Sequence, residues 1–555
     1  MEQQQIKLRI GGMTCVHCAE HVSRALETVA GVRQVNLPGW RATHATVIAD
    51  ADVSTDALTQ AVQAVGYTAL VEEQLPLQPE HTEPTRDTSA YDFDLLVIGG
   101  GSGGFAAAIA ATDLGKRVGM INAGTIGGTC TNVGCVPSKA FIRAAEAWHS
   151  AGHHPFVGVN TAQVELDWPT VRAQKDALVA ELRQSKYVDV LAAYPDISLI
   201  EGRAVFKADG SVHVGDRQYR ASRYVIATGA QPRMLPIPGL EEAQPLNSTT
   251  LMDLDELPRS LIILGGRAVA LELGQMMARL GIEVLILQRS LRLVPEHEPE
   301  IGRAIQDYLE QEGIGVLTGV TVERLSREGD TRVVHVRLMG QQREFRADQV
   351  LMALGRQPNT QGLGLEDVSV AVDDSGTILV NEYQQTTNPT IYATGDVTTN
   401  PDYVYVAAAG GAVAARNALT GAQKPLDLSA LPGVIFTDPQ IATVGLTEAQ
   451  ARQQGYEVSA SALSLDYVPR ALVARDTRGL VKLVANAATG RILGAHVLAV
   501  EAGEVIQTAT LAVKFGLTLD DLTDTLFPYL TQVEGLKLAA LSFTKDVAKL
   551  SCCAV

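Results

Sequence analysis

At 555 residues the chain is too long for a single core, and at about 150 residues per domain it should form three or four units. Apolar residues make up 46% and charged residues 19%, which excludes a wholly disordered or fibrous chain. Against 62 acidic residues stand 45 lysines and arginines, a balance of −17 that argues against nucleic acid or an anionic membrane surface as partner.

Residues 1–72 read as a small α+β sandwich. Lys7-Leu8-Arg9-Ile10 alternates as a strand does, and residues 19–29 place Val22, Ala25, Leu26 and Val29 on one helical face. A second strand is expected over 43–48 and a second helix over 54–65, with Ser54 as its N-cap. Cys15 and Cys18 form a C-x-x-C before the first helix. A helix N-terminus lowers a thiol pKa, and two thiolates at that spacing suit a linearly coordinated soft cation. Thioredoxin-like redox chemistry is the rival, on a unit too short for that fold. His17 reads as an exposed loop residue rather than a ligand. With its Gly12-Met13-Thr14-Cys15 run and Gly66-Tyr67, the segment resembles the heavy-metal-associated domains, which implies a ferredoxin-like βαββαβ fold. From 73 to 90, three prolines, several charges and little apolar material predict an extended, mobile tether on which the first unit swings.

Residues 93–98 form an apolar strand, followed by Gly99-Gly100-Gly101-Ser102-Gly103-Gly104, a helix to 114 and a second strand ending at Asn122. The pattern returns as a strand over 261–264, Gly265-Gly266-Arg267, a helix over 268–280 and a strand ending at Gln288. In both, the second strand ends 23 residues after the first glycine, the length of a βαβ dinucleotide unit, so two nucleotide sites are expected. In the first unit Gly99, Gly101 and Gly104 stand where a tight turn, a close pyrophosphate and helix packing require glycine. Asn122 occupies the position of the usual ribose-binding carboxylate and can hydrogen-bond without charge. The second unit keeps Gly265 but has Arg267 and Ala270 where further glycines are expected. Arg289, with Arg292 beyond, ends its second strand in place of a carboxylate; an arginine there suits a 2′-phosphate and favours NADPH over NADH.

Between the units runs GGTCTNVGCVPSK, residues 127–139. Two cysteines five positions apart near a helix start can close a redox disulfide or hold a soft metal as thiolates. Together with Ala227-Thr228-Gly229, Gly355-Arg356-Gln357-Pro358-Asn359 and Ala393-Thr394-Gly395-Asp396, this run resembles the flavin-dependent pyridine-nucleotide disulfide oxidoreductases, from about residue 91 onward. The resemblance implies an α/β protein with two Rossmann-like domains: an FAD-binding domain over 91–230 and 358–427 and an NADPH-binding domain over 231–357. An α+β dimerisation domain over 428–555 completes it. FAD would lie along Gly99, Gly101, Ser102, Gly103 and Gly104, near Asn122, and along Gly128, Thr129, Thr228 and Gly229, with Asp396 at its ribityl region. NADPH would lie on Gly265 and Arg289. Cys135 is implied as the thiol against the flavin and Cys130 as the interchange thiol, with Lys139 beside the flavin and paired with Glu272.

The longest near-apolar run, 403–415, is too short to span a bilayer, and no signal-type apolar segment opens the chain, so a cytoplasmic protein without membrane insertion is expected. Where disulfide reductases of this family carry a histidine base five residues before a glutamate, Tyr529 precedes Glu534. Tyrosine, with an ordinary pKa of about 10, is a poor thiol-exchange base at neutral pH, which argues against a low-molecular-weight disulfide as substrate. Cys552 and Cys553 form a vicinal pair that closes a strained disulfide poorly but can offer two thiolates to a soft ion.

All six cysteines thus fall in pairs, too few for a disulfide framework and suited to metal binding or redox work. Three such pairs on one flavin reductase resemble the mercury-reducing branch of the family. That resemblance implies Hg(II) as substrate, captured at Cys15 and Cys18, passed to Cys552 and Cys553, and then to Cys130 and Cys135 by thiolate exchange. Tyr187 and Tyr529 would line the inner mercury site, and a homodimer would share active sites between subunits. The alternative from another class is a Cu(I) or heavy-metal trafficking protein, which has no need of two nucleotide units.

Overall fold

The computed structural model describes residues 3–13, 16–37, 44–77, 91–159 and 165–549. The chain divides into two compact units, Met1–Ala90 and Tyr91–Val555.

The first unit runs β1 (Gln3–Gly11), α1 (Val16–Glu27), β2 (Val32–Asn36), β3 (His44–Asp50), α2 (Thr55–Ala64) and β4 (Thr68–Leu77). Its sheet has the order β2-β3-β1-β4, antiparallel throughout, which is the ferredoxin-like arrangement. Alternation along β1 buries Ile6, Leu8 and Ile10 with Val22 and Leu26 of α1 and Leu58 and Val62 of α2, while Gln5 and Arg9 face solvent. Ser54 caps α2, its hydroxyl accepting from the Ala57 N–H at 3.2 Å. Two expectations change here. Residues 73–77 belong to β4 rather than to a tether, pairing with β1 as far as Gln3 opposite Leu77. β4 is an edge strand, where Pro76 can sit without removing a ladder hydrogen bond; residues 78–90 lie outside the described residues. His17 is not in a loop, because α1 starts at Val16 and carries it in the first turn.

In the second unit, β5 (Phe93–Ile98) is the middle strand of a five-stranded parallel sheet. Ala221–Ile226 and Ile391–Ala393 lie on one side of it, β6 (Val118–Asn122) and Ile197–Glu201 on the other. Strands buried on both faces read as continuous apolar runs, as β5 does. α3 (Ser102–Thr112) packs on helix Val404–Thr420 through bare backbone: a Cβ on Gly411 would lie 2.1 Å from the Gly103 oxygen. The near-apolar run is therefore an internal helix, and no described helix is long and apolar enough to cross a membrane.

The second nucleotide fold has four parallel strands in the order Gly315–Thr318, Glu283–Gln288, Ser260–Leu264 and Gln349–Met352. The chain enters and leaves it through Ala230–Pro232 and Arg356–Pro358, which pair antiparallel. A five-stranded antiparallel sheet with helices Ala502–Phe515 and Glu534–Leu541 packed on it forms the C-terminal α+β layer. Buried and half-buried charges join this layer to the second nucleotide fold: Arg279 reaches Glu312 at 2.7 Å and Asp438 at 2.8 Å, and Arg478 reaches both at 3.2 and 3.3 Å.

Candidate active site

The thiol pair is built by a broken helix. α4 (Gly128–Asn132) carries Cys130, Val133 and Gly134 interrupt it, and α5 (Cys135–Gly152) restarts with Cys135 as its first residue. A Cβ on Gly134 would lie 2.9 Å from the Thr129 oxygen, so glycine lets the two helices abut. Asn132 staples the loop: Nδ2 donates to the oxygens of Ile126 and Gly128, each at 2.9 Å, and Oδ1 accepts from Arg183 Nε at 2.7 Å.

The electrostatics separate the two cysteines. A hydrogen bond donated by the Cys130 thiol lowers Cys135 to about 7, with the Lys139 ammonium helping and burial and Glu272 opposing. The same hydrogen bond, together with burial, pushes Cys130 up. Negative charge therefore settles on Cys135, at the N-terminus of an 18-residue helix where the backbone also favours an anion. One turn on, Lys139 Nζ lies 2.7 Å from Glu272 Oε2, across 133 residues of sequence. Glu272 is buried in helix Ala268–Arg279, its Oε1 accepts from the Phe436 N–H at 2.9 Å, and Lys139 Nζ stands 4.7 Å over the Phe436 ring.

Tyr187 reaches this group through an irregularity. α6 (Trp168–Arg183) passes into a π-helical turn, Gln184–Val188, which carries Tyr187. Its hydroxyl lies 3.2 Å from Ser102 Oγ and accepts from Thr131 Oγ1 at 3.3 Å, and its ring meets Phe105 edge-on at 4.9 Å. It thus ties the start of α3 to the thiol loop.

The first glycine loop leaves backbone bare where a dinucleotide would approach. Gly99 has φ +121°, and a Cβ on it would lie 2.1 Å from the Ala227 oxygen; one on Gly104 would lie 1.9 Å from the Gly99 oxygen, and one on Gly128 2.7 Å from Gly101 Cα. Thr228 Oγ1 is buried with no hydrogen-bond partner among the described residues, a hydroxyl with unused bonding capacity beside that loop. Asn359 fixes the strand end beside it, donating to the oxygens of Thr228 and Gly229 at 3.0 and 2.9 Å. Gly103 packs against Thr394 and Ala407, and Asp396 pairs with Arg356 at 3.3 Å. These residues fit FAD. Asn122 spends its amide on the loop itself, Oδ1 accepting from the Gly100 N–H at 3.1 Å and Nδ2 donating to the Gly124 oxygen at 2.7 Å.

In the second fold Gly265 has φ +122°, and a Cβ there would lie 2.4 Å from the Ala353 oxygen. Arg289 is exposed at the end of its strand, whereas Arg292 is half-buried and donates to the oxygens of Pro295 and, at 3.2 Å, His297. An exposed arginine at a strand end, with no side-chain hydrogen bond or ion pair among the described residues, beside a bare glycine turn fits a pyridine nucleotide.

Three predicted residues, Cys15, Cys552 and Cys553, lie outside the described residues. Cys18 is buried in α1. Tyr529 lies between helices Leu519–Asp524 and Glu534–Leu541, 50% exposed, and the contacts that gather Cys130, Cys135, Lys139 and Glu272 are made by other side chains. Among the described residues no group of three or more His, Cys, Asp or Glu is placed to hold a metal ion. Phe436, Asn132 and Arg183 escaped the sequence reading; Phe436 meets Glu272 across 164 residues, a separation at which no local pattern speaks.

Residues 93–411 match the pyridine nucleotide-disulphide oxidoreductase family, 431–540 its dimerisation domain and 7–68 the heavy-metal-associated domain. A mercuric reductase of Staphylococcus aureus is 46% identical over 554 residues, covering 100% of both chains. One of Bacillus cereus is 46% identical over 99% of this chain and 87% of its own, and one of Streptomyces lividans 49% identical over 83% and 98%. Among solved structures, the HOCl-induced flavoprotein disulfide reductase RclA from Escherichia coli, also solved as its Cu(II) complex, aligns with a TM-score of 0.73 and 30% identity over 81% of this chain and 100% of that one. A family that takes its electrons through a flavin and a pyridine nucleotide accounts for both glycine turns and the thiol pair between them. By the span of the family match and by full-length likeness, the chain belongs to the pyridine nucleotide-disulphide oxidoreductases and, within them, to the mercuric reductases.

Proposed function

We propose that the chain reduces Hg(II) to Hg(0) with NADPH, through FAD and the Cys130/Cys135 pair, in the cytoplasm. The observation that carries this reading is the placing of the Cys130 thiol and the Lys139 ammonium beside Cys135, which lowers its pKa to about 7 and favours the thiolate. A thiolate is what a soft cation requires, and Cys130 supplies the second ligand of a linear dithiolate as its proton leaves on metal binding. Bound FAD supplies two-electron transfer between the nicotinamide and the thiol site. Overall, Hg(SR)2 and NADPH yield Hg(0), two thiolates, NADP+ and a proton.

The chain's own residues bind and orient. Lys139, clamped by Glu272, keeps a cation beside Cys135 and favours the anion there. Tyr187 and Tyr529 line the inner mercury site. Arg289 selects NADPH by its 2′-phosphate. The domain over 428–555 pairs two chains so that Cys552 and Cys553 serve the other subunit. Mercury moves from Cys15 and Cys18 to that tail and then inward, each transfer exchanging one thiolate for another.

The test is Hg(II)-dependent NADPH oxidation by full-length, FAD-loaded protein in excess thiol, with release of volatile mercury followed in parallel. Absence of both removes the reading, equal rates with NADH remove the NADPH preference, and strong turnover of glutathione disulfide points instead to a disulfide reductase. Replacing Cys15 and Cys18 by Ala is expected to leave turnover measurable when small thiols deliver the metal, whereas Cys135→Ala abolishes it. Equal losses would contradict the relay order.

A further inference from the structure

The second glycine turn departs from the dinucleotide pattern at one exposed position. Gly265 is forced by its φ of +122°, and Ala270 is buried in the core. Arg267 stands where the pattern has the glycine that lets backbone approach the pyrophosphate. Its backbone is extended, φ −113° and ψ −172°, as the N-cap of helix Ala268–Arg279; its side chain makes no capping hydrogen bond, and the first turn of that helix holds no acidic residue. The side chain is 67% exposed, and its Nε lies 3.6 Å from Glu296 Oε2.

That spacing is an ion pair without a close hydrogen bond, in solvent, and such pairs contribute little and exchange readily. The other cations of the turn are differently engaged. Arg292 is tied to the backbone oxygens of Pro295 and His297 and braces its loop. Arg289 has no side-chain partner among the described residues, but it stands at the end of strand Glu283–Gln288, the place of the adenosine ribose rather than of the bridging phosphates.

We propose that Arg267 is an arm for the pyrophosphate of the pyridine nucleotide, held by Glu296 until a phosphate replaces that carboxylate. The charge added by arginine offsets the close backbone approach that its Cβ forfeits. Glu296 acts as the competing anion, so the pair sets nucleotide affinity without regard to the 2′-phosphate, while Arg289 reads the 2′-phosphate alone. The inference rests on the second fold being the pyridine-nucleotide site.

Calorimetric titration of the full-length, FAD-loaded protein with NADP+, NAD+ and 2′-AMP separates these roles. Arg267→Ser is expected to weaken NADP+ and NAD+ alike, each by about ten-fold, and to leave 2′-AMP unchanged, since that fragment has no pyrophosphate. Arg267→Lys, which keeps the charge, should recover part of the loss. Glu296→Gln should tighten NADP+ and NAD+ by about two- to three-fold, by removing the competitor. Arg289→Ser should weaken NADP+ and 2′-AMP and spare NAD+. The inference is overturned if Arg267→Ser weakens only the 2′-phosphorylated ligands, changes nothing, or tightens binding, the last meaning that the side chain obstructs. Wild-type protein that binds neither NADP+ nor NAD+ would instead overturn the assignment of the site itself, before any variant is compared.

Discussion

At Cys135 two neighbours decide the protonation state: the Cys130 thiol, which donates to it, and the Lys139 ammonium. Its pKa is lowered, so the thiolate persists above about 7 and is lost as the pH falls through that value. The long-wavelength absorbance of thiolate beside flavin in the two-electron-reduced protein should fade over the same range. Lys139→Met should move that midpoint up by about 1 pH unit, because an opposite charge in contact range lowers an acid's pKa by that order. A midpoint that stays in place would remove Lys139 from the account. Both thiols were legible in the sequence as residue types in a motif, and the Lys139–Glu272 pairing was an implication of the family resemblance that the structure bears out. Which thiol bears the charge was not legible, since the Cys130 hydrogen bond depends on how α4 meets α5, and the opposing Glu272 on how α5 meets helix Ala268–Arg279.

Among the elements, the π turn over Gln184–Val188 is the one with functional weight. Such turns insert one residue into an α-helical run and rotate the downstream residues by about 100°. That rotation delivers Tyr187 to Ser102 and Thr131. Deleting Gln184 should restore the helical phase, carry Tyr187 off the thiol loop and lower kcat by about 10²-fold with FAD content unchanged. Unaltered kcat would make the turn a packing detail. The two βαβ units were readable because a glycine turn between an apolar strand and a helix is a local pattern, and strands 93–98 and 118–122 end where that pattern places them. A single inserted residue leaves no periodic trace, and the tether was read five residues long at its start because an edge strand tolerates the proline that usually ends one.

Across the whole second unit, orientation is set by buried charge as well as by apolar packing. Arg279 is 4% and Glu312 12% exposed, and together with Asp438 and Arg478 they hold the second nucleotide fold to the C-terminal layer that supplies Phe436. Arg279→Met leaves Glu312 and Asp438 with Arg478 as their remaining guanidinium partner among the described residues and should cost about 2–3 kcal/mol, measured as a lower urea midpoint of the FAD-loaded protein. Arg143→Met, at an exposed pair with Glu146, should change stability by no more than about 0.5 kcal/mol. Equal shifts would mean that the network carries no special load.

Residue type and spacing along the chain determined the pairing of six cysteines and the two dinucleotide turns, each a contiguous pattern written within about thirty residues, and the small α+β unit, whose strands and helices are read one element at a time from their periodicity. Tertiary structure decided what those residues do for one another. It gave the thiolate to Cys135, turned Asn122 onto its own glycine loop, brought Phe436 to Glu272 and left Arg267 facing Glu296. Protonation and orientation are set by whichever charges and donors lie within a few ångströms, and in this fold many of those arrive from segments more than a hundred residues away.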